Sequence, residues 1–158
     1  MSFSIRATGT DLRTVSRKLR QVGDAEIKKQ FRTELRAAAK PIVPAVRASI
    51  AAIPVKGTSG STGLRRRLSR AVTLAVRTTG RNAQVSILMS TGRMPDGQKS
   101  LPAMMEGTKP WRHPVFGNSD NWVAQESHPY FFPVMRQMGA AGRLAVNRVV
   151  NKITREIT

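Results

Sequence analysis

The sequence predicts one α+β domain over residues 1–158: a small antiparallel sheet packed with a long, kinked N-terminal helix pair and a C-terminal helix, plus a long aromatic- and Pro-rich loop. Three observations point there. Apolar residues recur every three or four positions over 12–53 and again over 134–157, the period of an amphipathic helix. Between them, Val72, Leu74 and Val76 alternate with Thr73, Ala75 and Arg77, the period of a half-buried strand. Finally, residues 106–133 (EGTKPWRHPVFGNSDNWVAQESHPYFFP) hold six of the eight aromatics, both histidines and four of the nine prolines. The chain thus divides into a strand with basic helices (1–53), a loop and β-hairpin (54–100), an aromatic docking loop (101–133) and a terminal helix (134–158).

Phe3, Ile5 and Ala7 alternate with Ser4, Arg6 and Thr8, a short strand able to join the sheet as a third member. Gly9-Thr10-Asp11 opens a helix with Thr10 or Asp11 as N-cap, a stripe of Leu12, Val15, Leu19 and Val22, and Gly23 as its stop. Asp24 caps a longer helix whose stripe runs Ile27, Phe31, Leu35, Ala38, Ile42, Val46, Ser49 and Ile53. Pro41 and Pro44 fall inside it, so it kinks or breaks near Ala39–Lys40, a proline being tolerated in the first turn of a restarted helix. Residues 54–63 (PVKGTSGSTG) read as a loop, and 63–68 (GLRRRL) as a short helical turn or strand lead-in. Residues 72–77 and 83–89 form a hairpin closed by Thr79–Asn82. A polar loop (90–100) and a brief apolar turn (Leu101–Met105) follow. From Pro133 a helix carries Val134, Met138, Ala141, Ala145, Val149, Ile153 and Ile157 on one stripe, weakened slightly by Gly139 and Gly142.

The aromatic segment combines features that rarely coexist. Pro110, Pro114, Pro129 and Pro133 fix φ and remove donors, which predicts a shaped loop rather than a regular element. Its apolar content is too high for a solvated linker, and ordering so long a loop costs conformational entropy that only burial offsets. It therefore needs a surface, either its own domain or a neighbouring chain. The residues that would carry such docking are Glu106, Trp111, His113, Phe116, Trp122, Tyr130 and Phe131. An intramolecular minicore beneath the loop is the alternative reading of the same aromatics.

Charge is the second strong feature. The 27 Lys/Arg against 9 Asp/Glu give +18, and residues 1–81 hold 18 of the basic residues against four acidic. Such a field draws polyanions or acidic protein surfaces. Arg65, Arg66, Arg67 and Arg70 form the densest cluster, a patch for sequence-blind phosphate contact or, more plainly, a solvated edge. The aromatics lie elsewhere in the chain, which argues against base stacking.

The absence of cysteine excludes disulfides and thiolate metal sites. No run of about 18 apolar residues predicts a membrane span, and the N-terminus lacks the layout of a cleaved signal. His113 and His128 each precede proline, where the backbone is pushed to extended conformations, and their spacing fits no helical ligand pair. No nucleotide-binding or hydrolase motif is present and the few acidic residues are scattered. The sequence thus predicts no catalytic residues, no metal and no cofactor. A nuclease would instead show metal-dependent turnover lost on changing either histidine.

Four stretches carry a resemblance: Leu101-Pro102-Ala103-Met104-Met105-Glu106-Gly107-Thr108, then Trp111-Arg112-His113-Pro114-Val115-Phe116-Gly117-Asn118, then Trp122-Val123-x-Gln125, then Pro129-Tyr130-Phe131-Phe132-Pro133. Together they resemble the tail-completion, or head–tail joining, proteins of long-tailed bacteriophages, in the version similar to that of phages infecting actinobacteria. The upstream layout of basic helices, Gly-rich loop, G-L-R-R-x-L turn and hairpin agrees. Many members carry an aromatic between the Glu and Gly of the E-x-G-T element, whereas here Glu106 abuts Gly107. The resemblance implies a structural virion protein of the neck, assembled in the host bacterial cytoplasm. It would form a ring, six-membered by expectation, between the head-closure ring and the tail terminator or tail tube, around genomic DNA held by non-specific contact. A standalone basic nucleic-acid-binding module is the competing expectation.

Overall fold

Strand β3 (Gln84–Met89) forms the middle of a three-stranded antiparallel sheet, between β1 (Ser2–Ile5) and β2 (Val72–Arg77), in the order β1-β3-β2. The structure, a computed structural model, describes residues 2–5, 12–54, 63–79, 83–115 and 118–158. The expected loop over 55–62, turn at 80–82, N-cap at Thr10 or Asp11, and Phe116 lie outside them. Register runs from Val72↔Met89 to Arg77↔Gln84 on one side of β3 and from Ser2↔Leu88 to Ile5↔Val85 on the other. Val85, Ile87 and Met89 are buried with Ser86 between them, so β3 is covered on both faces at its centre, as a middle strand should be.

Helices α1 (Leu12–Val22), α2 (Ala25–Ala39) and α3 (Ile42–Ala51) follow the predicted stripes closely. Asp24 caps α2, its Oδ1 accepting from the Glu26 and Ile27 amides at 2.8 and 3.1 Å. The break falls at Lys40–Pro41, and Pro44 sits in the first turn of α3, where a missing N–H leaves no helical bond unmade. Phe31, Leu35, Ala39, Ile42, Val46 and Ile50 keep one buried face across the break. Val22 departs from its predicted stripe: it is exposed, because α1 ends there and Gly23, at φ +76°, turns the chain away.

Helix α4 (Leu64–Ala71) leads directly into β2, and α5 (Leu101–Glu106) precedes the aromatic segment. The last helix, α6 (Phe132–Glu156), is 25 residues, about 37 Å at 1.5 Å per residue, and packs on α2 and α3. Its buried face is Met135, Gly139, Gly142, Val146, Val150 and Ile153, one position away from most of the predicted stripe. The glycines, read from sequence as weak points, lie on that buried face, where small residues allow close approach. Val134, Met138, Val149 and Ile157 pack at its margin. Lys152 pairs with Glu34 between α6 and α2, and Gln30 donates to the same carboxylate at 3.0 Å. The Lys152 hydrogen bond holds the Glu34 carboxyl below its ordinary pKa.

The aromatic segment corrects the expectation of an unbroken irregular loop. Strands β4 (Trp111–Val115) and β5 (Asn118–Gln125) make a two-stranded antiparallel hairpin inside it, with a register irregularity at Pro114/Val115. Proline is compatible with a strand that has an open edge, because its missing N–H then takes no bond from a ladder. No helix among the described residues is long and apolar enough to cross a membrane.

Candidate functional site

Glu106, at the end of α5, ties both ends of the aromatic segment together. Its carboxylate accepts from the backbone amides of Tyr130, Phe131 and Phe132, each at 2.8 Å. These amides open α6, where unpaired N–H groups and the positive end of the helix dipole favour an anion. The cap comes from a residue 24 to 26 positions upstream rather than from the local sequence. Around it, the His128 amide donates to Met105 O at 2.8 Å. The Ser127 hydroxyl reaches the Met104 and Lys109 carbonyls at 2.9 and 2.6 Å, its one proton serving one at a time. Gly107 fits this knot because a Cβ there would lie 3.1 Å from Met104 O and 3.2 Å from Ser127 Oγ. That crowding gives a physical reason for glycine directly after Glu106.

Tyr130 and Phe131 are fully buried members of the hydrophobic core, as are Met105 and Met135. The Tyr130 hydroxyl donates to Pro102 O at 3.2 Å. Burial, with the negative Glu106 carboxylate adding to it, pushes this phenol well above its ordinary pKa. Of the candidate docking residues, Glu106, Tyr130 and Phe131 thus make contacts inside the chain, Tyr130 and Phe131 with no exposed surface.

The hairpin is different. Its strands pack mainly on each other, and every residue from Asn118 to Ala124 is exposed. At about 3.3 Å per residue, β5 reaches about 26 Å. Trp111 and His113, two residues apart on one face, meet with ring centroids 4.9 Å apart, and Trp111 also rests against the core. His113 Nδ1 lies 3.1 Å from Pro114 O, a bond the Nδ1–H tautomer makes. Trp122, opposite Pro114 on the other face, is 48% exposed while its Nε1–H donates to Ser119 O at 2.6 Å. It is a large apolar ring held by that bond and left about half in solvent. Val123 beside it is exposed as well.

The arginine cluster does not form one uniform patch. Arg65 Nη1 donates to Ala51 O and Ile53 O at 2.9 and 3.4 Å, capping the C-terminal end of α3, where carbonyls lack helical partners. Arg67 is half-buried; Arg66 and Arg70, one turn apart on α4, are exposed. A second basic surface, not anticipated from sequence, lies at the α2–α3 break. An open groove of about 890 Å³ there has Pro41, Val43, Pro44 and Leu74 in its apolar lining and Arg36, Lys40, Arg47 and Arg93 as cations, with no carboxylate among the described residues that line it. Arg47 donates to Ser69 O at 3.1 Å and Arg93 to Arg70 O at 3.0 Å, so the C-terminal carbonyls of α4 hold both side chains in place. Arg36, Lys40 and Arg47 flank the two prolines in sequence, the one signal available; Arg93 sits in a stretch that reads only as polar loop.

Among the described residues no three His, Cys, Asp or Glu side chains gather in a way that would hold a metal ion. No protein-family model, curated protein or solved structure matches the chain.

Proposed function

We propose that this protein is a structural component of a bacteriophage neck, joining the head-closure ring to the tail terminator or tail tube as a ring around the DNA channel. The observation that carries the reading is the hairpin arm. Two of the four stretches that resemble the joining proteins build the β4–β5 hairpin, which exposes Trp122 and Val123 and packs little on the other described residues. A rigid, half-exposed indole is the kind of anchor that dominates protein interfaces. The charge of +18 per copy calls for an opposing polyanion, which packaged DNA or acidic neighbouring rings supply.

The test mixes the purified protein with heads and tails that lack it, and follows joined particles by electron microscopy and infectivity. Joined particles are expected with the intact protein and a sharp loss with Trp122→Ala. A chain that never enters particles, whatever its concentration, overturns the reading. The exposure of Arg66, Arg70, Arg36 and Lys40 favours one second reading, a standalone nucleic-acid-binding module. That reading requires tight duplex or RNA binding that collapses with added salt and with Arg66→Ala/Arg70→Ala, independently of Trp122.

A further inference from the structure

The basic groove lies along an open strand edge. Val72, Thr73 and Leu74 all line it, and because successive strand residues point to opposite faces, three in a row line a groove only at a strand's edge. The order β1-β3-β2 leaves that edge of β2 without a strand partner among the described residues. Val72 O turns outward to Arg47 Nη2 at 3.4 Å. In an antiparallel ladder outward-facing residues alternate with paired ones, so Leu74 and Val76 also direct their N–H and C=O groups out of the sheet. The site thus offers backbone hydrogen bonds, an apolar floor and four cations.

Strand β5 offers the complement. It too is the edge of its sheet. Within this very basic chain, residues 113–135 contain no Lys or Arg but include Asp120 and Glu126. Neither carboxylate has an ion-pair partner among the described residues. Between them stands the exposed, fixed Trp122. No described hairpin residue lines the groove of its own chain.

We propose that β5 of one copy docks on the groove of the next, adding its outer edge to the open edge of β2 and setting Trp122 against Pro41, Pro44 and Leu74. This rests on the ring reading above and names the contact that would build the ring. Main-chain bonds supply affinity in strand addition, and side-chain pockets supply specificity. Two different patches meeting head to tail generate a closed ring when the rotation closes. One strand and one indole bury less than the roughly 1,000 Å² of a stable interface. A single contact is therefore weak, and assembly proceeds from free chains to closed rings with few intermediates.

The cysteine-free chain allows a clean test. Full-length Ala37→Cys and Ala124→Cys proteins are mixed under oxidising conditions, and cross-linked peptides are mapped by mass spectrometry. A 37–124 disulfide between copies is expected as the main product, falling at least tenfold when Trp122→Ala is added. Asp120→Lys should weaken ring formation, and Lys40→Glu on the partner should restore it. Rings that form without 37–124 cross-linking, or with 37–37 or 124–124 products only, overturn this contact and leave the neck reading standing. A chain that stays monomeric and uncross-linked at every concentration also overturns it, and the particle-joining assay then judges the neck reading separately.

Discussion

Tyr130 and Trp122 lie eight residues apart in one aromatic-rich stretch, yet the first is completely buried and the second is 48% exposed. Both are large, and both have their polar atom satisfied, by Pro102 O and Ser119 O respectively. What separates them is anchorage of the backbone around them. Glu106 and Ser127 fasten the base of the segment to the body, whereas the hairpin is held chiefly by its own ladder. Aromatic residues concentrated in sequence thus serve two purposes, a core at the base and a contact surface on the arm.

Substitutions should split along that line. Phe131→Ala, at the base, opens a cavity at a fully buried position and should cost about 3–5 kcal/mol in urea denaturation. A loss below about 1 kcal/mol would mean that the base is not part of the core. Glu106→Ala strands three amides and should cost about 2 kcal/mol, with Glu106→Gln intermediate because it keeps an acceptor but loses the charge. Equal stability of all three proteins would break the assignment of Glu106 as the α6 cap. Tyr130→Phe should cost about 1 kcal/mol near neutral pH. Because the folded-state pKa of Tyr130 is raised, its contribution is complete below about pH 10, the unfolded phenol's value, and is lost as pH rises beyond it. The Tyr130→Phe protein should therefore lose less stability than the wild type between about pH 9 and 11. Identical alkaline profiles would refute the buried, raised phenol. The smallest change in stability belongs to Trp122→Ala, within about 0.5 kcal/mol, although assembly should fail. A drop in melting temperature like that of Phe131→Ala would put Trp122 in the core and erase the contrast.

Periodicity made the fold class and most of the elements legible. The Asp24 cap, the Lys40–Pro41 break and the β2–β3 hairpin with its third strand all follow from local signals that physics reads locally. The face of α6 was harder, because Gly139 and Gly142 carry no hydropathy signal although they lie at its centre. The β4–β5 hairpin was hidden because Pro110 and Pro114 read as breakers, while an open-edge strand tolerates proline. Within the candidate site, sequence picked out Trp111 and Trp122 but could not tell arm from base: Glu106 acts on residues 24 to 26 positions away, a distance no local pattern conveys. Arg65 stood out by its neighbours in sequence, yet its position at the end of α3 is set by tertiary packing. The groove joins α2, α3, β2 and Arg93, and only folding brings those together.

The carboxylate of Glu106 makes the chain depart from and return to the body at a single spot. The outer part of the hairpin, beyond Trp111 and before Ser127, is thus an appendage whose size the body barely senses, since doubling a flexible excursion costs only about 0.6 kcal/mol. Descendants of this chain would be free to lengthen, shorten or retip the arm, and so to change what it grips, while the handle stayed the same.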